Sequence, residues 1–204
     1  MISPMEVRKL GIEGVIEFTP PVHRDRRGLF CSAFQRQTFA RTLGKPLFPV
    51  GQVSHNISRR GTLRGIHYTA TPPGMAKYVY CPRGRVQDFV VDLRVGSPTF
   101  GTSESVTLDE DSNRALFLPV GIGHAFLSTS DDSMVLYVLS GDYVAGNELA
   151  VDALDPALGL PVPQGYDHIR SDRDLVAPTL AEAGERGLLP EYAACREAEA
   201  RLWQ

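Results

Sequence analysis

Apolar residues in this chain come in short runs that break at glycine and proline, and within several runs they alternate with polar residues. Alternation with a period of two, bounded by turn residues, is the mark of half-buried β-strands. It predicts strands at residues 15–18, 29–34, 49–54, 76–81, 86–93, 103–107, 115–118 and 134–139. Turn signals separate them: RRG before Leu29, PRG at 82–84 and VGSP at 95–98. The spacing suits hairpins and leaves little room for crossover helices, so the sheets are expected to be mostly antiparallel. Two helices are expected, at residues 37–43 and 190–203, and residues 150–180 read as loop-rich. The pattern as a whole predicts an all-β, jelly-roll-like barrel with short flanking helices. It should form a single domain over residues 1–204, with a core at about 12–180 and a C-terminal helical appendage at about 181–204.

A chain of 204 residues is long enough to bury a substantial core in one domain. The formal net charge of −3 leaves no broad basic field for nucleic acid, so an anionic ligand must be held by a few local cations. Cys31, Cys81 and Cys195 are far apart and odd in number, which suits neither a disulfide framework nor a cysteine metal site. No signal-peptide pattern and no apolar run of membrane-spanning length is present, and a cytoplasmic protein is expected.

The candidate chemistry begins in LRGIHYTATPPGMAKYVY, residues 63–80, which places Arg64, His67 and Lys77 among apolar and turn-forming residues. In a strand, Lys77, Val79 and Cys81 share one face and Tyr78 and Tyr80 the other. If Lys77 faces a barrel interior, its ammonium needs an anionic partner or ligand. Arg64 and His67 are three apart, so a regular strand cannot aim both at one face. Gly65 between them could supply a bulge that re-aims one of them. Further along, Tyr137 lies in the apolar run MVLYVL, and Asp174 lies in SDRDLVAP.

LPVGIGHAF, residues 118–126, resembles the second motif of the cupins, small β-barrels that often bind metal. The first cupin motif brings two histidines and a glutamate. Here GIHYTATPPGMAKY offers one histidine and no such glutamate, so His67 and His124 are too few for a metal site. No metal and no organic cofactor are expected.

Taken together, DRRGLF, LRGIHY, AKYVYCPRGRVQDFVVDLRVGSPTFG, LFLPVGIGHAF, MVLYVL, DPALGL and SDRDLVAPTL resemble the dTDP-4-keto-6-deoxyhexose epimerases. The archetype of that family is dTDP-4-dehydrorhamnose 3,5-epimerase. The run GIHYTATPPGMAKYVYC is similar to the branch that makes deoxysugars for antibiotics. The resemblance implies a cupin-type jelly roll and a dTDP-4-keto-6-deoxyhexose substrate. It implies His67 as general base, Asp174 as the carboxylate orienting it, Tyr137 as the opposite-face acid and Lys77 beside the C4 oxygen. Arg64, His124, Arg27, Gln52, Glu148 and Arg173 would contact the substrate, and Tyr143 would stack on thymine. Arg27 would reach across the interface of a homodimer. Ser32 and Ser54 depart from the glutamate and asparagine usual at those positions.

These residue types fit the implied chemistry. C3 and C5 of a 4-keto sugar carry acidified C–H bonds. A histidine is a suitable base near neutral pH, a carboxylate can hold its other ring nitrogen, and a buried cation can stabilise the enolate oxygen. Whether C3, C5 or both are inverted is left open at this level. A metal-dependent cupin enzyme and a nucleotide-sugar ketoisomerase remain as alternatives.

Overall fold

The computed structural model describes residues 4–204; the first three residues of the expected domain lie outside the described ones. Among the described residues, thirteen strands form two sheets and one hairpin. In chain order the strands are β1 (Glu6–Lys9), β2 (Ile16–Thr19), β3 (Val22–Asp25), β4 (Gly28–Cys31), β5 (Gln52–Ser58), β6 (Leu63–Thr69) and β7 (Lys77–Arg83). They continue with β8 (Arg85–Asp92), β9 (Ser103–Asp109), β10 (Ala115–Leu118), β11 (Ile122–Ser128), β12 (Ser133–Leu139) and β13 (Glu148–Ala150). The helices are α1 (Arg36–Leu43), α2 (Asp172–Leu175), α3 (Leu180–Glu185) and α4 (Tyr192–Arg201). One sheet runs β1-β2-β10-β7-β12-β5 and the other β13-β6-β11-β8-β9, with β3 and β4 paired separately. Every strand ladder is antiparallel, as the spacing of the runs predicts.

Three apolar clusters follow from the alternation of side chains. Val79 and Cys81 of β7 pack with Val86 and Val90 of β8, Leu116 and Leu118 of β10 and Val135 of β12 between the two sheets. The outer face of the five-stranded sheet, including Leu63, Phe89 and Val91, is covered by the segment that carries Val151, Leu158, Ala183 and Leu189. The outer face of the other sheet presents Phe18, Tyr78 and Phe117 to Phe39 of α1 and to Cys195 and Ala198 of α4. Lys77, Val79 and Cys81 thus share the inward face, and Tyr78 faces out, as expected.

Several boundaries differ from the expected ones, each for an identifiable reason. The strand expected at 49–54 runs from Gln52 to Ser58, because Asn56 and Ser58 are polar yet point inward. The strand expected at 29–34 ends at Cys31, and Phe34 packs against Phe39 and Tyr78. The strands β6 and β11 hold glycine and histidine within apolar runs, which weakens their alternation as a signal. Short elements lie within the loop-rich stretch 150–180, α2 among them, and α3 begins at its end.

The bulge anticipated at Gly65 is present. His67 of β6 pairs with His124 of β11, but the next paired residues are Arg64 and Phe126, so β6 fits three steps against two. Gly65 has φ +99°, which disfavours any residue with a Cβ. A Cβ there would meet the His124 carbonyl oxygen and lie 3.0 Å from the Ala125 Cα, both on the backbone of the neighbouring strand. The extra residue lets Arg64 and His67 line the same cavity. Gly65→Ala should therefore destabilise the fold by about 2 kcal/mol or more, combining positive-φ strain with a backbone clash. Chemical denaturation checks this, and a loss well under 1 kcal/mol would show that the two strands can separate at no great cost.

Candidate active site

The barrel is filled by apolar side chains over most of its length, but at one end a cavity of ≈ 230 Å³ opens between the sheets. Both walls contribute to it. Ser54 and Asn56 of β5, Lys77 of β7 and Tyr137 of β12 come from one sheet, and Arg64, His67 and His124 from the other. Glu148 of β13 and Tyr143 close the rim.

His67 Nε2 lies 2.6 Å from Asp174 Oδ1 across 107 residues of sequence. Asp174 is buried and sits in the one-turn helix α2, where Ser171 caps the turn by accepting from the Asp174 backbone N–H at 3.2 Å. Arg170 donates to the Asp174 carbonyl and to Asp152 Oδ1, which ties the turn to the barrel. Burial pushes the Asp174 carboxyl up, but the hydrogen bond and charge of His67 and the bond from Ser171 outweigh it and hold the group below the usual carboxylate range. With Nε2 committed to Asp174, Nδ1 is the His67 ring nitrogen without a protein hydrogen bond among the described residues.

Lys77 is only 8 % exposed and makes no direct hydrogen bond among the described residues. Its nearest anion is Glu148, with Nζ and Oε2 4.0 Å apart, beyond hydrogen-bond reach. Glu148 is itself engaged by the Thr69 hydroxyl, which donates to Oε1 at 2.6 Å. Burial lowers the Lys77 pKa, Glu148 opposes that shift and Arg173 adds to it. The result is an ammonium held in a poorly solvated wall with donors to spare for a ligand oxygen.

A second imidazole–carboxylate pair stands beside the first. His124 Nε2 is 2.7 Å from Asp88 Oδ2, and Asp88 is 0 % exposed. Burial drives the Asp88 pKa up against the pull of His124. The sequence reading missed Asp88. Its signal was a carboxylate at an inward position of β8, between Val86 and Val90, both of which lie in the inter-sheet core. The His124 ring also meets Tyr137 edge-on, with centroids 5.9 Å apart. Tyr137 borders the cavity, its oxygen accepts a hydrogen bond from Asn56 Nδ2 at 3.1 Å, and burial of the phenol moves its pKa upward despite that bond.

The remaining expected residues are placed unevenly. Gln52 is near the rim, donating to Ser54 at 2.7 Å and accepting from the Tyr143 backbone N–H at 2.9 Å. Tyr143 is exposed at the cavity mouth. Arg173 is exposed on α2, close enough to influence Lys77. Arg27 does not line the cavity; it stands on the β3–β4 hairpin with its side chain 84 % exposed, paired with Asp25. No three His, Cys, Asp or Glu side chains converge among the described residues. His67 and His124, two histidines of the cavity wall, are fewer than the three or four ligands of the metal site of other cupins.

A jelly-roll barrel whose open end holds a carboxylate-held histidine, a phenol and a buried ammonium is a cupin-type fold adapted to proton transfer. The family follows directly: the model for dTDP-4-dehydrorhamnose 3,5-epimerase matches residues 9–182, and the chain belongs to that family. It is 47 % identical over 188 residues to a dTDP-4-dehydro-6-deoxyglucose 3-epimerase of Streptomyces bikiniensis, covering 92 % of this chain and 95 % of the relative. It is 44 % identical to a dTDP-4-dehydrorhamnose 3,5-epimerase of Mycolicibacterium smegmatis, covering 94 % of each chain. Among solved structures, NovW, a 4-keto-6-deoxy sugar epimerase from the novobiocin cluster of Streptomyces spheroides, superposes with a TM-score of 0.90 at 48 % identity. The superposition covers 95 % of this chain and 96 % of NovW. The chain is thus an epimerase of the deoxysugar class, and these relatives lend no support to a metal-dependent or ketoisomerase alternative.

The Asp174 pairing has a pH signature. A carboxyl whose folded pKa is depressed contributes stability that is fully present above its unfolded value near pH 4 and lost as pH falls through the folded value. Asp174→Asn should therefore lower stability by about 1.5–3 kcal/mol at pH 6–7, the range for a charged hydrogen bond. The deficit should shrink steadily below about pH 4. Urea unfolding at a series of pH values measures it; a deficit independent of pH would mean that Asp174 is not held as a carboxylate by His67.

Proposed function

We propose that the protein inverts C3 of a dTDP-4-keto-6-deoxyhexose by deprotonation on one face and reprotonation on the other, in deoxysugar biosynthesis. The observation that carries this reading is the placement of His67 and Tyr137 on opposite sheets, with Lys77 beside them in one cavity. Inversion at C3 is common to what the Streptomyces bikiniensis and Mycolicibacterium smegmatis relatives are named for, whereas C5 appears only in the name of the second.

In this mechanism His67 Nδ1 takes the C3 proton, and the electron pair of the broken C–H bond passes into the C4 carbonyl. The imidazolium so formed is stabilised by Asp174, which also fixes the tautomer. Negative charge develops on the C4 oxygen, where the unsatisfied ammonium of Lys77 receives it in a site of low polarity. The Tyr137 hydroxyl then gives its proton to C3 from the other wall. Its upward-shifted pKa keeps it a phenol, and so an acid, at neutral pH. His67 returns its proton to solvent and Tyr137 regains one, with no change of oxidation state. Arg64, His124, Gln52, Glu148 and Arg173 serve as substrate contacts around this centre, and Tyr143 at the mouth offers a ring for the thymine base.

A homodimer completes the proposal. Strand β5 is a sheet edge whose outward residues Val53 and Ile57 are exposed, and Phe30 on the β3–β4 hairpin is 67 % exposed. A second copy covering this surface would bring Arg27 toward the neighbouring cavity. No helix among the described residues is long and apolar enough to cross a membrane, and a cytoplasmic enzyme fits its nucleotide-sugar substrate.

Two tests follow. His67→Ala and Lys77→Ala should each lose about 10² to 10⁴ in kcat/KM with thermal unfolding still cooperative. Tyr137→Phe should keep washing deuterium from D₂O into the starting sugar while forming little epimer. Near-normal turnover in either alanine variant, or equal loss of exchange and inversion in Tyr137→Phe, would contradict these roles. Light scattering should give a dimer at micromolar concentration, and Arg27→Ala should cost activity without dissociating it; a fully active monomer would overturn the assembly.

A further inference from the structure

The inward face of β5 carries Gln52, Ser54, Asn56 and Ser58, an unbroken row of polar side chains. Three hydrogen bonds run from this row to both walls of the cavity. Arg64 Nε donates to Ser58 Oγ at 3.1 Å, the Ser58 hydroxyl donates to Asn56 Oδ1 at 3.2 Å, and Asn56 Nδ2 donates to the Tyr137 oxygen at 3.1 Å. The direction of this line is set at its start. A guanidinium can only donate, so the Ser58 oxygen must accept and its proton must go onward. That proton holds the Asn56 carbonyl oxygen toward Ser58 and turns the amide NH₂ toward Tyr137.

The consequence falls on the phenol. Its oxygen receives a bond from Asn56, so its own O–H is not spent on that neighbour, and no protein acceptor takes it among the described residues. The His124 ring packs edge-on from the other sheet and limits where the phenol can swing. We infer that Asn56, oriented by Ser58 and Arg64, is a positioning residue that presents Tyr137 to the substrate as a proton donor and holds the phenolate left after transfer. This rests on the reading of Tyr137 as the opposite-face acid. A donor to an oxyanion is stronger than the same donor to a neutral phenol, so the contact favours the transfer as it proceeds. Asn56 would thus act on reprotonation alone, while His67, Asp174 and Lys77 carry out deprotonation without it.

The test is to replace Asn56 in two ways and to run both steps separately on dTDP-4-keto-6-deoxyglucose in D₂O. Asn56→Asp keeps the shape but supplies an acceptor, which would draw the phenol proton to itself. Asn56→Leu removes the hydrogen bond and keeps the bulk. Deuterium exchange into the starting sugar at C3 should stay within a few-fold of wild type in both, while epimer formation falls by about 10²-fold, the scale of a misplaced catalytic group. Ser58→Ala, one link further away, should show the same separation to a smaller degree and keeps the proposal testable if an Asn56 variant fails to fold. Tyr137→Phe is measured alongside. If it separates exchange from inversion but the Asn56 and Ser58 variants slow both equally or neither, Asn56 does not position the acid. If Tyr137→Phe itself fails to separate them, the acid assignment falls and this inference falls with it.

Discussion

The close passage of β6 across β11 at Gly65 is the constraint on which the site depends. A residue with a Cβ could not take its φ without strain or approach the His124 carbonyl so nearly. Because β6 gains one residue there, Arg64 and His67 enter the same cavity instead of opposite faces of the sheet. The register on the far side of the bulge then sets His67 directly opposite His124. Two histidines on adjacent strands, each fixed by a carboxylate from elsewhere in the chain, follow from one glycine and one ladder.

The electrostatics of the cavity continue the same logic. Its carboxylates are occupied: Asp174 by His67, Asp88 by His124 and Glu148 by Thr69. Its cations keep donors in reserve, most clearly Lys77, whose nearest anion stands outside hydrogen-bond reach. A small barrel that leaves an ammonium poorly satisfied gives up some stability for it. In the proposed mechanism, a reactant that becomes an enolate in front of Lys77 recovers that cost at the moment when charge stabilisation speeds the reaction. The polar interior also inverts the usual alternation of β5, which carries its polar residues inside and Val53 and Ile57 outside.

That inversion explains what the sequence could and could not reveal. The alternation in β7 was legible because its inward residues beyond Lys77 are apolar and its outward face is covered by aromatics. Arg64 and His67 were legible as a pair only through Gly65, whose bulge was the one local way to align them. The far end of β5 was not, since Asn56 and Ser58 are polar and give no apolar alternation until the cavity they face is known. Asp88 and Asn56 escaped for a related reason: each is tied to the site by a hydrogen bond to a partner, His124 or Tyr137, that lies 36 or 81 residues away. The proposed catalytic quartet came from the family resemblance, and the contacts that orient it became visible only once the two sheets were assembled.

In the proposed mechanism two different groups, on opposite walls, handle the proton that leaves and the proton that returns. A single measurement addresses it: dTDP-4-keto-6-deoxyglucose labelled with deuterium at C3 is converted in H₂O, and the epimer is examined by NMR during the first turnover. The epimer should carry protium at C3, because the label leaves on His67 and the new proton comes from Tyr137. Epimer that retains a substantial share of the original deuterium would mean that one group carries the same proton across the ring, and would contradict the two-wall mechanism.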